Sequence, residues 1–558
     1  MTVPAAKART QIQFPTWNAL YQIRDFVRAV QGLDADCDGQ SFALERLDLN
    51  TWASGERTCS NLQIGYSVYA NEEGVFSSAL NDQHAYLNLA MILFYLPHER
   101  QRPVRVRFLV PENWKLASPL EEADAPSEFF AENYDALVDS PVEASAFQEY
   151  VYIQKGAQYR VIVHASPDDF PAERLLDSVK KITNAATELM QDVPFKQYTF
   201  LLHFPRVGGG GLEHRNGTAI NVARDDLKSN WLGLESVLAH EFFHAWNVKR
   251  IRPQNLEPVD YVRVNDTRDL WFAEGVTSTI QEYILLRAGL ISRTTFYERL
   301  ANATKQLQDR PARLTQSLED AGREAWLEKY PDYLRAERSI SYYNKGMLVG
   351  FLLDLAMREA SRSQHGLDDL LRRLNSDFAQ RNRFFARDDL IQIVESLAPA
   401  GGGFRRFFDD YISGTHELDY DKYLGYAGLH LVKNTTQTPA VGFAAVQNFD
   451  QPVTVATVEA TSNAQKAGLK AGDILLKMDG ETLRSVPDSL LSRKRAGQVV
   501  RFRVRRGDRE FALKYTLESK GHTIYRVEED SHATTQQRRL REHWLKGVTV
   551  QAATAGKS

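Results

Sequence analysis

The stretch His240-Glu-Phe-Phe-His244 decides the fold and the chemistry expected of this 558-residue chain. Residues four apart on an α-helix lie on the same face, so both imidazoles can reach one metal ion. Glu241 then lies close enough to take a proton from a water molecule that the metal activates. The sequence from Trp231 to Val248 contains no proline and predicts a helix that continues through the motif. The alternative is a pair of core histidines that are one turn apart by coincidence.

A catalytic zinc site has three protein ligands and one position that is open to water. No histidine follows His244 until His365, so the third ligand should be a carboxylate on a second helix. Glu274 is the best candidate, because it lies in the apolar segment 270–286, where a carboxylate is costly unless it is ion-paired or metal-bound. An ion-paired structural glutamate is the alternative. The competing carboxylates lie in a polar connection that is expected to be solvated: Glu257, Asp260 and Asp269.

Four segments resemble the M61 glycyl aminopeptidase family of gluzincin peptidases, and they occur in that family's order. They are GGGGLEH at 208–214, HEFFHAWNVKRIRP at 240–253, WFAEGVT at 271–277 and SYYNKG at 341–346. The resemblance extends from about Tyr21 to the C-terminal tail. It implies a thermolysin-like, mostly helical zinc-peptidase domain, and one Zn²⁺ per chain held by His240, His244 and Glu274. It also implies aminopeptidase activity on peptides, and the family name suggests glycine or alanine as the first residue.

Two residues are expected to take part directly in the reaction, one by transferring protons and one by stabilising the oxyanion. Glu241 would act as the general base toward water and then protonate the departing nitrogen. Tyr343 resembles, by its position in its motif, the tyrosine of gluzincin aminopeptidases that donates a hydrogen bond to the oxyanion. Such a donor is worth about 10²–10³ in rate. Without the resemblance, a tyrosine in an apolar helix is more often a packed core residue.

The glycine run 208–211 follows an apolar strand and precedes the alternating segment 217–222, which is typical of an edge strand. Glycines at that place would let a substrate backbone approach and pair with the edge. Glu213 would anchor a free α-ammonium group, and His214 beside it would assist Glu213 or orient its carboxylate. The alternatives are a flexible turn and a surface salt bridge. The predicted substrate-binding residues are Gly210, Gly211, Glu213 and His214.

Residues around the motif suggest supporting roles. Zinc-bound histidines need acceptors for their second ring nitrogens, and Asn247 and Asp269 are the candidates. The cations that follow the motif would hold a substrate carboxylate or complement a solvated helix end; they are Lys249, Arg250 and Arg252.

Composition bounds the class of protein and its partners. The chain is 43% hydrophobic and 25% charged, which is typical of a soluble globular protein. Its 68 basic and 72 acidic residues are interspersed, which argues against a nucleic-acid partner. The longest apolar run, 89–96, is too short to span a bilayer.

Cys37 and Cys59 have no metal-site spacing, and a lone pair implies no disulfide framework. No signal peptide opens the chain, so a cytoplasmic location is the default, and a periplasmic or secreted one follows if the natural start lies upstream.

The chain is predicted to be a multidomain α+β protein with three or four domains. Residues 1–165 should form a β-sandwich-like N-terminal domain, which either is shortened relative to the family or begins upstream of this start, and residues 166–430 the catalytic domain. A third domain, 431–520, would be followed by a tail at 521–558 that forms a terminal helix or clasp.

Residues 464–480, AQKAGLKAGDILLKMDG, resemble the central signature of PDZ domains. Such domains add a peptide strand to their own sheet edge and cap its terminal carboxylate with backbone N–H groups. Val441, Gly442 and Phe443 are the candidate carboxylate-binding residues, and a protein C-terminus is the candidate partner. The alternative is a module that serves only in packing or docking.

These observations favour a zinc aminopeptidase that acts on short peptides. The first rival is a zinc endopeptidase whose PDZ domain recruits protein C-termini. The second is a PDZ binding or assembly protein with a vestigial peptidase centre. The intact set of catalytic side chains disfavours the second rival; it consists of His240, Glu241, His244, Glu274 and Tyr343.

Overall fold

The computed structural model describes residues 1–17, 21–447, 452–483 and 486–547. The chain forms two compact units: one contains Met1–His430 together with the chain from Val527 onward, and the other is Leu431–Arg526. Of the predicted tail, residues 548–558 lie outside the described part. None of the helices in the described residues has both the length and the apolar character that a membrane span requires.

The first 145 residues are β-rich, as predicted, because short alternating runs are separated by polar turns. In the longest strand, Leu62 and Ile64 are buried and Gln63 between them is exposed. The elements are β1 Thr2–Ala6, β2 Gln11–Gln13, β3 Val30–Cys37, β4 Gln40–Phe42, β5 Glu45–Arg46, β6 Thr51–Ala53, β7 Cys59–Val68, β8 Ala79–Leu80, β9 His84–Leu87, β10 Val104–Arg107, β11 Lys115–Ala117, β12 Glu121–Glu122, β13 Glu128–Ala131, α1 Tyr134–Val138 and β14 Val142–Ser145. They form antiparallel sheets in the orders β1-β7-β3-β4, β2-β6-β5, β11-β14-β9-β8 and β10-β13-β12.

A disulfide joins Cys37 to Cys59, whose Cα atoms lie 5.3 Å apart. The spacing of the two cysteines did not predict this bond. The two residues meet because β3 pairs with β7, which places Cys37 opposite Leu62 near the start of β7. Sequence spacing alone does not reveal that register.

The next five strands form the sheet that supports the functional site. They are β15 Gln148–Gln154, β16 Ala157–His164, β17 Gln197–His203, β18 Gly209–His214 and β19 Gly217–Val222, and the sheet order is β15-β16-β17-β19-β18. Strands β16, β17 and β19 are parallel, with antiparallel β15 and β18 at the two edges. The prediction that 217–222 is an edge strand is wrong, because β18 folds back onto it and buries all six residues. The strand that contains the glycines is itself the edge.

Helices make up most of the remaining part of this unit. They are α2 Ala172–Met190, α3 Arg224–Ser229, α4 Trp231–Phe243, α5 Thr277–Arg287, α6 Arg293–Gln308, α7 Leu318–Arg323, α8 Tyr342–Ala360, α9 Leu367–Asp377, α10 Arg387–Leu397, α11 Phe404–Phe408 and α12 Tyr420–Tyr426. Helix α2 is the crossover between the parallel strands β16 and β17, as parallel pairing requires. The predicted mostly helical region is thus confirmed.

The helix that contains His240, α4, ends at Phe243, and His244 caps it with helical dihedral angles. The prediction that this helix continues to Val248 is wrong. After His244 the backbone turns tightly, because the N–H groups of Ala245 and Trp246 bond to carbonyls three residues back instead of four. This early end lets the following residues fold back toward His244.

The segment that contains Glu274 is helical, as predicted, but its first part, Trp271–Val276, is a π-helical turn that leads into α5. Such wide turns occur mostly as single insertions at functional sites. The turn packs against α8, and all six of its residues are buried.

The C-terminal helix α15, Thr535–Lys546, returns to the helical part of the first unit. Trp544 is fully buried there, and its indole N–H donates to the Tyr283 hydroxyl at 2.5 Å. Its ring also contacts Phe296 edge-on, with centroids 5.4 Å apart. A helix in the tail agrees with the prediction of a terminal helix.

The second unit is a small sheet with two short helices. Its elements are β21 Phe443–Val446, β22 Thr454–Val458, α13 Asn463–Lys466, β23 Ile474–Met478, β24 Glu481–Thr482, α14 Asp488–Leu491, β25 Val499–Arg506 and β26 Arg509–Thr516. The sheet order is β21-β22-β23-β25-β26, and β24 pairs with β23. A two-stranded ribbon, β20 Leu429–Ala440 with β27 Glu518–Glu529, accompanies it. Alternate residues of β25 (Val500, Phe502 and Val504) fill the core.

The close crossing of α8 over the π-helical turn generates a prediction. A Cβ atom on Gly346 would lie 2.8 Å from the Trp271 carbonyl oxygen and 2.9 Å from the Gly275 Cα, so the backbones have no room for it. We expect Gly346→Ala to lower the free energy of unfolding by about 1–3 kcal/mol, the usual cost of overpacking. Urea denaturation in the presence of a chelator measures this effect without a contribution from metal binding.

Gly425→Ala is the matched control, because it also lies in a helix but a Cβ there meets nothing within 4 Å. Its higher helix propensity should leave stability unchanged or raise it by up to about 1 kcal/mol. Equal stability of the two variants would contradict the close crossing.

Candidate active site

Two imidazoles and one carboxylate meet at the end of α4. His240 Nε2 lies 3.2 Å from Glu274 Oε2, and His244 Nε2 lies 3.4 Å from the same oxygen. Possible ligand atoms of all three side chains lie within 4.8 Å of one another, and all three residues are buried. Two ligands of a tetrahedral zinc ion are about 3.3 Å apart. The donor set and its spacing therefore fit a zinc ion.

Asn247 holds the two ligand-bearing segments together. Its main-chain carbonyl accepts a hydrogen bond from His244 Nδ1 at 2.6 Å, which leaves Nε2 directed at Glu274. Its side-chain amide donates to the Phe272 carbonyl at 2.8 Å and contacts the Thr277 hydroxyl at 3.1 Å. Of the two predicted acceptors, Asn247 thus contacts a motif histidine, through its backbone. Asp269 instead accepts from Asn255.

The charges of the site are strongly coupled. Burial works to lower the pKa of His244, but the Glu274 carboxylate outweighs it and raises that pKa to about 10. Burial likewise works to raise the pKa of Glu274, and the two histidines hold it well below its usual range. The pKa of His240 is lowered, mainly by burial. Burial raises the pKa of Glu241 well above its usual range, and Glu213 and Glu274 add to the effect.

A cavity of about 390 Å³ opens onto these ligands. Glu213, on the edge strand β18, is only 5% exposed, and one of its oxygens lies within 4.8 Å of possible ligand atoms of Glu241 and His244. Gly210 and Gly211 line the same cavity. A Cβ on Gly211 would lie 2.3 Å from the Glu241 side chain, so only glycine leaves room for that carboxylate.

Tyr343 lies at the rim of this cavity and is 40% exposed. Its ring centroid is 5.9 Å from that of His240. The preceding residue, Tyr342, also lines the cavity but is buried and bonds to Glu328. Tyr343 and Gln281 also line a second cavity, of about 820 Å³.

Four predicted residues do not reach the cavity. Successive side chains of a strand point to opposite faces, so His214 is directed away from Glu213, and its Nδ1 lies 3.3 Å from Asp139. The three cations after the motif are engaged elsewhere. Lys249 bonds to Asp139, Arg250 to backbone carbonyls and Arg252 to Glu257.

Four cavity residues come from the N-terminal region and were not predicted: Tyr21, Gln22, Arg24 and Phe76. The Tyr21 hydroxyl is buried without a hydrogen-bond partner among the described residues, and burial followed by Glu274 and Glu213 raises its pKa well above the usual range. The Arg24 guanidinium lies 4.6 Å from the centre of the Phe76 ring, and both residues line the cavity. No motif marks these residues, because they reach the site through the packing of one domain on another.

The predicted carboxylate-binding residues of the second unit lie between β20 and β21. Val441 and Phe443 are buried in that unit's core, and Gly442 has a φ of +75°, which favours glycine. The Val441 carbonyl accepts from the Tyr515 hydroxyl at 3.0 Å. In the described part of the chain β21 pairs only with β22, which leaves its other edge open.

The electrostatics predict that zinc binding releases protons. Near neutral pH, without metal, His244 is protonated because its pKa is about 10, whereas His240 is neutral. Zinc requires both imidazoles to be neutral, so binding should release at least one proton. Calorimetry in buffers of different ionisation enthalpy counts the protons.

Besides His244, Glu241 is another group of the site whose pKa is raised, and Glu241→Gln removes it. In that variant, zinc binding should release close to one proton. Affinity should increase with pH up to about 10, since deprotonation of His244 then no longer opposes binding. Binding without any proton release would show that His244 is already neutral.

Comparison with known proteins places this site in a family. The M61 glycyl aminopeptidase family matches residues 234–349, its N-terminal domain matches residues 1–146, and a PDZ domain matches residues 428–517. No curated protein matches the chain.

Among solved structures, an aminopeptidase N family protein from Idiomarina loihiensis is similar, with a TM-score of 0.86 and 25% identity over 98% of this chain and 96% of that one. An M1 zinc metallopeptidase from Deinococcus radiodurans has a TM-score of 0.45, with 14% identity over 73% of this chain and 88% of that one. Yeast LTA4 hydrolase has a TM-score of 0.44, with 12% identity over 76% of this chain and 68% of that one. Similarities as weak as the last two say nothing about the reaction. With both M61 domains and a PDZ domain matched in order, the chain belongs to the M61 glycyl aminopeptidase family.

Proposed function

We propose that this metallopeptidase is a zinc-dependent aminopeptidase that removes the first residue of short peptides. One observation carries the proposal: the buried Glu213 carboxylate lies within 4.8 Å of ligand atoms of Glu241 and His244. In a peptide, the amino nitrogen of the first residue is only about 2.5 Å from its carbonyl carbon. An anchor for a free α-ammonium group must therefore lie beside the groups that attack that carbonyl, as Glu213 does.

The charge of the cavity supports the same class of substrate. Glu213, Glu241 and Glu274 all line it, and burial strengthens their combined attraction for a cation. A substrate with a blocked amino terminus would leave the Glu213 carboxylate buried without a charged partner, which is costly. Small first residues such as glycine or alanine fit a cavity of about 390 Å³.

We assign one Zn²⁺ per chain to His240, His244 and Glu274. When bound, it supplies a Lewis acid that polarises the scissile carbonyl and lowers the pKa of water. Glu241 takes the proton of the attacking water and delivers it to the departing nitrogen, a role for which its raised pKa suits it. Tyr343, at the cavity rim, donates a hydrogen bond to the oxyanion.

A second candidate function is endopeptidase action on proteins whose C-termini bind the PDZ domain. The open edge of β21 favours it, because a peptide strand can pair there. The corresponding partner is a protein C-terminus held near Val441, Gly442 and Phe443. A binding protein with a vestigial centre is the third candidate, and any hydrolysis that depends on Glu241 excludes it.

The amino-terminal requirement is the first test. We expect free peptides to be hydrolysed and N-acetylated copies of the same peptides to resist. Glu213→Gln should lower kcat/KM for the free peptides by about 10–100-fold, because a charge-assisted hydrogen bond is lost. Equal rates on free and acetylated peptides would remove the role of Glu213 and favour the endopeptidase.

The general base is the second test. Glu241→Gln should lower kcat by about 10²–10⁴-fold, the usual contribution of a positioned acid–base group. Zinc content, measured by mass spectrometry, should remain that of the wild type, since Glu241 is not among the proposed ligands. Hydrolysis at the wild-type rate with zinc in place would show that another group is the base.

The close approach of β18 to Glu241 gives a third test. Gly211→Ala should displace the Glu241 side chain, because the new methyl group overlaps it, and kcat should fall by about 10²-fold or more while zinc stays bound. Gly209→Ala is the matched control on the same strand, since its Cβ meets nothing within 4 Å. Similar kinetics for the two variants would contradict this placement of Glu241.

A further inference from the structure

One arginine lies in the otherwise acidic cavity of the active site. Three carboxylates line this cavity, those of Glu213, Glu241 and Glu274. Within the part of the chain that the structure describes, Arg24 is the one arginine or lysine that lines it. An arginine stays charged at any pH near neutrality. None of the catalytic steps proposed for the site uses this guanidinium.

The acidic residue that influences Arg24 is already engaged elsewhere. Glu72 accepts a hydrogen bond from Arg28 at 2.5 Å and another from the Ser77 hydroxyl at 2.9 Å. Burial lowers the pKa of Arg24, and Glu72 opposes this only in part. The Arg24 Nε is buried and has no hydrogen-bond partner among residues 1–17, 21–447, 452–483 and 486–547. A buried donor of a charged group is costly without an acceptor, so a ligand with negative charge would stabilise it.

An aromatic ring supports the guanidinium at the edge strand. Arg24 Cζ lies 4.6 Å from the centre of the Phe76 ring. Phe76 lies beside β18, since a Cβ on Gly210 would be 3.8 Å from its ring. A guanidinium over a ring keeps N–H groups in its own plane for a carboxylate, which it can hold with two parallel hydrogen bonds.

The segment that contains Arg24 is fixed in place on two sides. The Arg24 backbone N–H donates to the Thr16 carbonyl at 2.7 Å, and the Thr16 hydroxyl donates to the Tyr261 carbonyl at 2.7 Å. The Gln22 side chain donates to Glu328 at 3.0 Å. A binding group that is held in position before the ligand arrives loses less entropy on binding.

The places of Glu213 and Arg24 match two parts of a short peptide. Gly210, beside Phe76, and Glu213 are three residues apart on β18, which is about 10 Å along a strand. A peptide with its amino end at Glu213 that pairs with this edge runs toward Gly210. Because an extended chain advances about 3.3–3.6 Å per residue, its second or third residue reaches the end of the cavity where Arg24 lies.

We propose that Arg24 binds a carboxylate of the peptide substrate, two or three residues from the amino end. This carboxylate is the C-terminus of a di- or tripeptide, or an acidic side chain at the same place in a longer peptide. The inference rests on the proposed aminopeptidase function and adds a reason for selecting short peptides. A peptide without a carboxylate there would leave the half-buried guanidinium without a charged partner.

The experiment compares peptides that differ only in that carboxylate, using the full-length, zinc-loaded protein. In the first arm, dialanine and trialanine are compared with their C-terminal amides. In the second arm, amidated tetrapeptides with glutamate at position two or three are compared with their glutamine counterparts. In at least one arm the acid should have a kcat/KM about 10–100-fold higher, the usual value of charge-assisted hydrogen bonds, and mainly through a lower KM. The arm that shows the preference identifies the source of the carboxylate.

Variants of Arg24 show whether the preference comes from this residue. Arg24→Gln should abolish it, and Arg24→Lys should reduce it, because lysine keeps the charge but not the planar fork. Arg57→Gln is the matched control and should keep the full preference. Arg57 also lies 4.6 Å from a phenylalanine ring, that of Phe42, but it does not line the cavity.

The proposal is overturned if the wild type shows no preference in either arm, or if folded Arg24→Gln keeps the full preference. Should Arg24→Gln fail to fold, Arg24→Lys decides, and an unchanged preference in that variant overturns the proposal. Calorimetric binding of the same peptides to zinc-loaded Glu241→Gln repeats the comparison without hydrolysis. Acetylation tests the amino end and amidation the carboxyl end. Failure of the aminopeptidase function is therefore seen separately from failure of the role of Arg24.

Discussion

The backbone and side chain of Asn247 connect the two segments on which the active site depends. Its carbonyl holds the ring of His244, and its amide holds the π-helical turn that presents Glu274. The three proposed ligands come from segments about thirty residues apart, and a ligand displaced by even 1 Å would bind poorly. Because α4 ends at Phe243, the chain can turn back and place Asn247 between them. The early helix end is therefore part of the site.

The same site brings three acidic side chains together. Glu213, Glu241 and Glu274 are all buried, and the positive charges near them are His244 and the Arg24 guanidinium that lines the same cavity. Such an arrangement is unfavourable by itself, because like charges repel and each carboxylate loses hydration. A zinc ion and a substrate ammonium group each add the missing positive charge. In the free protein, this repulsion and loss of hydration lower the stability of the folded state, and binding of zinc or substrate relieves them. Zinc should therefore stabilise the folded state.

The sequence was sufficient to predict the parts of the site that depend on local spacing. Four residues make one helical turn, so His240 and His244 had to share a face, and an apolar helix made Glu274 the natural third ligand. The β-rich start, the helical centre and the PDZ domain followed from periodicity and motifs in the same way. Gly211 lies on the edge strand and lines the cavity, although the edge strand was assigned to 217–222.

Strand pairing and domain packing determine the features that the sequence could not show. The strand that contains the glycines became the edge because a tight turn folds it back onto 217–222. Cys37 and Cys59 meet through a strand pairing, and Tyr21 reaches the cavity through domain packing. His214 was expected beside Glu213, but neighbours on a strand face opposite sides, and a period-two argument would have separated them. None of these errors affects the spacing of His240 and His244, because that geometry is local.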